Sequence, residues 1–128
     1  MSYQLKSEIW VQALIRRAQA QSGFVSVLRK GDPDAGIVLI ILRKGGVQTL
    51  YTPERNFNGE RVWLGFESSE QSRIDQKINQ RVDYDPDLWV VEIESDVKAE
   101  ALIGEPIEAA TKADDPVTVA AEALFRGG

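Results

Sequence analysis

No cysteine and no histidine occurs among the 128 residues. Without cysteine there is no disulfide framework, no thiolate zinc site and no cysteine nucleophile. Without histidine, the commonest general base and the commonest zinc ligand are both missing. Any catalysis would rest on carboxylates, lysine, tyrosine or a bound cofactor. Long apolar runs are absent as well. The longest, Ile37 to Leu42, has strand length and falls far short of the roughly 18–20 residues that a membrane helix needs. Met1 to Lys6 has no apolar signal core, so a cytoplasmic protein with no membrane partner is the expectation. Gly31, Gly36, Gly45 and Gly46 match neither a Walker loop nor a dinucleotide fingerprint.

What is present is ordinary for a globular chain: 43% hydrophobic and 27% charged residues. The length suits one domain with a single core. Lys and Arg number 15 against 20 Asp and Glu, a net charge of -5. That balance disfavours non-specific binding to nucleic acid or to anionic membrane.

Ser7 to Gln21 reads as a helix. Trp10, Ala13, Leu14, Arg17 and Ala18 recur at helical spacing, and Val11 and Ile15 widen the stripe. Ser7 is the expected N-cap and Gly23 the expected stop. Phe24 to Lys30 and Gly36 to Lys44 read as antiparallel strands joined by the turn Gly31-Asp32-Pro33-Asp34-Ala35. Ile37 to Leu42 has no polar position and needs cover on both faces. Val47 to Thr52 is a third strand, which Pro53 ends or forces to an edge. Asn58-Gly59 signals a hairpin into a fourth strand, Glu60 to Phe66. Ser69 caps a second helix with the narrow stripe Ile74, Ile78 and Val82. The strand that follows, Leu88 to Glu94, puts Trp89, Val91 and Ile93 on one face and Leu88 and Val90 on the other, as an interior strand does.

The expected class is therefore α+β: a mostly antiparallel sheet of about five strands with two helices, in the order α-β-β-β-β-α-β. Residues 1–95 form that domain. Residues 96–128 form a C-terminal arm with a short helix from Pro116 to Arg126, docked on the domain or on a partner subunit. Helix 2 is too narrow to cover several strands, so further cover is expected from that arm or from a second subunit.

Two carboxylate-rich turns invite a metal reading. Asp83, Asp85, Asp87 and Glu94 mimic some positions of a calcium loop, but Leu88 stands where that loop needs glycine, and strand-like residues follow. Turn chemistry, with aspartates accepting from nearby backbone N–H groups, is the plainer account of Asp32-Pro33-Asp34 and Asp85-Pro86-Asp87. A Mg²⁺ or Mn²⁺ ion held by two of these carboxylates is the alternative. The expectation is no metal, no cofactor and no catalytic residue. Arg55, Asn56, Arg61 and Trp63 cluster on the third hairpin, where Arg and Trp can stack on and hydrogen-bond a partner. Because Trp63 alternates away from Val62, Leu64 and Phe66, it is expected to be partly exposed. Arg55, Asn56, Arg61, Trp63, Asp85 and Asp87 make the candidate interaction surface.

Three stretches carry a resemblance: Glu8-Ile9-Trp10-Val11, Arg29-Lys30-Gly31-Asp32-Pro33-Asp34-Ala35-Gly36 and Asp85-Pro86-Asp87-Leu88-Trp89-Val90-Val91-Glu92-Ile93-Glu94. Over Leu5 to Glu94 the chain resembles the bacterial family catalogued as domain of unknown function 1491, typical of alphaproteobacteria. The resemblance implies a small cytoplasmic protein with no assigned activity, and it supplies no catalytic or binding residues. The functional expectation is a non-catalytic module that binds another protein or itself, a homodimer included. A small-ligand protein or an enzyme using carboxylates and Arg is the alternative.

Overall fold

An all-apolar strand can sit only where both faces of a sheet are covered, and the chain is built around one. The computed structural model describes residues 5–108 and the backbone of residues 111–112. Its elements are α1 (Ser7–Ala20), β1 (Phe24–Arg29), β2 (Val38–Lys44), β3 (Val47–Arg55), β4 (Arg61–Ser68), α2 (Gln71–Tyr84), β5 (Trp89–Glu94), α3 (Ala99–Ile103) and β6 (Thr111–Lys112). The fold is α+β around one mixed sheet in the order β1-β5-β2-β3-β4-β6. It is mostly antiparallel, with β5 parallel to β2 and β6 parallel to β4.

Val38 to Leu42 of β2 are all buried. Val38, Ile40 and Leu42 meet Val11, Leu14 and Ala18 of α1, and Trp89, Val91 and Ile93 of β5 share that face. Leu39 and Ile41 meet Ile74 of α2 together with Leu88, Val90 and Leu50 on the opposite face. The alternation read from β5 thus holds on both faces. Helix α2 crosses from β4 to β5 over the second face, and Ile78 and Val82 complete its thin stripe.

The hairpin expected between β1 and β2 does not form, because β5 lies between them and bonds to both. Turn chemistry is local and says nothing about which strands become neighbours. The 31–36 loop instead serves other elements. The Pro33 and Asp34 carbonyls accept from the N–H groups of Glu8 (2.9 Å) and Ser7 (3.2 Å), which the first turn of a helix leaves unpaired. Lys6, rather than Ser7, occupies the N-cap, and the Ser7 hydroxyl donates to the Gly36 carbonyl. Glu70, rather than Ser69, precedes α2, with Ser68 Oγ accepting from its N–H. At the end of α1 the left-handed residue is Ser22, at φ 64°, rather than Gly23.

Pro53 does not end β3, which runs on to Arg55. Trp63, opposite Pro53, sends its backbone bonds outward to Pro106 and Glu108, so the missing N–H of Pro53 faces the β2 side. The β2–β3 ladder has already ended there, at Ile40 and Tyr51, and no bond is lost.

Part of the segment expected as a C-terminal arm packs on the domain. Ala99, Leu102 and Ile103 of α3 join the α1 face of the core. Arg17, placed by its spacing on the apolar stripe, caps this helix: its guanidinium donates to the Leu102 (2.9 Å) and Ile103 (3.4 Å) carbonyls. The short helix expected at Pro116 to Arg126 lies outside the described residues.

Candidate functional site

The two Asp-Pro-Asp tripeptides are turn devices, and they dock on each other. Asp32 Oδ2 accepts from the Ala35 N–H at 2.8 Å, and Asp85 Oδ1 accepts from the Asp87 N–H at 3.1 Å. The Asp32 N–H donates to the Asp87 carbonyl, and the Trp89 indole donates to the Asp32 carbonyl at 2.8 Å. Asp32 and Asp85 thus each use a carboxylate oxygen to shape their own turn, and Asp34 pairs with Lys6 at 3.7 Å. Among the described residues no group of three or more acidic, His or Cys side chains could hold a metal ion.

Trp63 is not partly exposed but fully buried. Alternation along β4 fixes which residues share a face but not which face the helices cover. Trp10 of α1 stacks on Trp63 with ring centroids 5.6 Å apart and planes at 17°. Glu105 then closes the stack: its two carboxylate oxygens accept from the Trp63 indole (3.0 Å) and the Trp10 indole (3.1 Å). Arg61 pairs with Glu105 at 2.9 Å and lies over both rings, 5.2 Å and 5.8 Å from their centroids. The Arg–Trp recognition chemistry read in the sequence is therefore met within the chain, and its partner is Glu105.

The remaining candidates do not converge. Asn56 Oδ1 accepts from the N–H groups of Asn58 and Glu60, both at 2.9 Å, and shapes the β3–β4 hairpin. Arg55 donates to the Gly59 carbonyl of that hairpin. Arg55 and Arg61 share an end of the sheet with Asp85 and Asp87. The 85–87 turn, however, feeds β5, and β3 with Arg55 and β4 with Arg61 lie two and three strands away in the sheet order, roughly 10 and 14 Å at ordinary strand spacing. An acid–base or ligand-clamping constellation of these Arg and Asp residues is not assembled.

At the other end, Tyr51, Thr49, Glu67, Lys98 and Glu100 line an open recess of about 470 Å³. Burial raises the Tyr51 hydroxyl above its ordinary 10.0; Glu100 and Glu67 raise it further, against a lowering hydrogen bond with Thr49. The unfolded phenol loses its proton near pH 10 while the folded one keeps it. This contribution is therefore complete below pH 10 and is lost as pH rises above it. Between about pH 9 and about pH 11, Tyr51→Phe should show a smaller drop in urea midpoint than the wild type. An equal drop would mean that other groups govern the alkaline limb.

Among the described residues, β1 is an open edge of the sheet. No strand among the described residues pairs with its outer side. Phe24 is 77% exposed, Leu28 55% and Val27 43%. Exposed sheet edges are ordinarily guarded by charge, proline or a bulge. Charge enters β1 only at its last residue, Arg29, and a register shift between Val27 and Arg29 is the other guard. Helix α2 packs its stripe on β2, β3, β4 and the start of β5, and no residue of β1 joins that side of the core.

The family model described as "Protein of unknown function (DUF1491)" matches residues 5–103. The chain belongs to the DUF1491 family. A crystal structure of a DUF1491 protein from Caulobacter crescentus is similar at 38% identity and a TM-score of 0.73, covering 82% of this chain and all of that one. A protein from A. tumefaciens, determined in solution, is similar at 31% identity and a TM-score of 0.71, covering 85% of this chain and all of that one. No curated protein matches.

The DUF1491 match runs past Glu94 and includes α3, in keeping with its place in the core. Phe24, Val27 and Leu28 escape a sequence reading because they sit in an ordinary-looking strand that a hairpin would have paired. Phe57, fully exposed at the β3–β4 hairpin, is a second unread apolar residue, but it stands alone there. No helix among the described residues is long and apolar enough to cross a membrane.

Proposed function

We propose that this DUF1491 protein is a non-catalytic cytoplasmic module that works by adding a polypeptide to its sheet at the β1 edge. The observation that carries the reading is the unpaired β1 strand with Phe24, Val27 and Leu28 exposed along it. A strand in this position offers unpaired N–H and C=O groups for main-chain bonding, and alternate side chains for selectivity. Catalysis finds less support, because the Arg and Asp candidates stand apart and each aspartate turn is occupied by its own backbone.

The test is a double variant, Phe24→Lys/Val27→Lys, which charges the edge without touching the buried core. It should melt within about 0.5 kcal/mol of wild type, as exposed substitutions do. Proteins retained by immobilised wild type from an extract of the source cells should be lost on the variant. Retention of the same proteins by both would place the binding surface elsewhere.

A further inference from the structure

We propose that the β1 edge takes a second copy of this chain, paired antiparallel about a twofold axis at Ser26; this rests on the reading of that edge as the association surface. In such a pair, residues directly opposite must share a face of the continued sheet, so the axis must pass through a residue. An axis at Ser26 sets Val25 opposite Val27 of the second copy and Ser26 opposite itself, and it brings Phe24 to the register shift at Leu28, where strict alternation ends. Within the regular stretch from Val25 to Val27 apolar then meets apolar and Ser26 meets its own image, while Arg29 falls opposite Gly23. An axis at Val27 would set Phe24 against Lys30 and Val25 against Arg29. An axis at Val25 would leave Val27 and Leu28 against Gly23 and Ser22.

Charge favours the same arrangement. Arg29 and Lys30 follow the strand at one end, and Glu94 lies beside Phe24 at the other. Antiparallel pairing brings the basic end of each copy toward Glu94 of the other, across two strand spacings of about 10 Å in all, near one Debye length. That local match offsets repulsion between two chains of net charge -5. The register shift after Val27 keeps the shared ladder short. The pair is accordingly a weak one that separates on dilution.

The absence of cysteine makes the test clean, because one introduced thiol reads one contact. Ser26→Cys should form a covalent dimer under mild oxidation. Val25→Cys should not, since its thiol would face Val27 and its counterpart would lie about 8 Å away, beyond disulfide reach. The wild-type mass should rise from 14.2 kDa toward twice that value as concentration increases. A mass that stays at one chain up to millimolar protein, with no Ser26→Cys dimer, overturns the second copy and leaves the edge reading to the capture test. A dimer that cross-links through Val27→Cys rather than Ser26→Cys overturns the register. A dimer that survives Phe24→Lys/Val27→Lys overturns the edge reading itself.

Discussion

Trp63→Ala should cost about 4–5 kcal/mol, the upper part of the range for emptying a large aromatic site. Three losses combine. The fully buried indole leaves a cavity, Trp10 loses the ring it stacks on, and Glu105 loses one of its donors. Because a domain of this size is stable by only about 5–15 kcal/mol, the variant should sit near the edge of folding. Trp63→Phe keeps the result readable: it retains a stacked ring but no N–H, and should cost roughly half as much. Urea melts of both, followed by far-UV dichroism, give the comparison. A Trp63→Ala chain as stable as wild type would return Trp63 to the surface and revive it as a recognition residue.

Gly31→Ala should cost about 3 kcal/mol, at the top of the usual range for overfilling a packed site. A Cβ at Gly31 would overlap the Asp87 carbonyl oxygen and come within 2.6 Å of the Leu88 carbonyl carbon and 2.7 Å of Trp89 Cδ1. Most of these are backbone atoms at the start of β5, where the Asp32 N–H and the Trp89 indole are also bonded. They cannot yield without shifting the strand that links β1 to β2. Gly46→Ala is the control, since its Cβ would meet nothing within 4 Å. It should be neutral or stabilise by up to about 1 kcal/mol through the unfolded chain. Equal urea midpoints for the two variants would mean that the two Asp-Pro-Asp turns do not dock tightly.

Much of the fold can be read from side-chain pattern, and the misreadings share one cause. The two faces of β5, the double cover of β2 and the thin stripe of α2 all follow from periodicity, which is a property of the segment alone. Strand order is not. Asp32 makes the turn its sequence announces, yet β1 and β2 are separated by a strand arriving some fifty residues later. The placing of Trp63 failed for a related reason: alternation along β4 is correct, but Trp10 and Glu105, both far away in sequence, decide which face is covered. For the same reason the candidate surface at Arg55, Asn56, Arg61, Trp63, Asp85 and Asp87 divides into a hairpin turn, a closed Trp–Glu–Arg cluster and a strand-entry turn. The β1 edge becomes visible only once β5 has taken its inner side.

Backbone amide exchange on the wild-type chain, measured at low and at high protein concentration, tests most directly whether β1 is the association surface. Outward-facing amides of residues 24–28 should gain protection as concentration rises, while those of the β3–β4 hairpin and of residues 104–108 stay unchanged. Protection that rises at the hairpin or at 104–108 instead, or nowhere up to millimolar protein, would contradict the account.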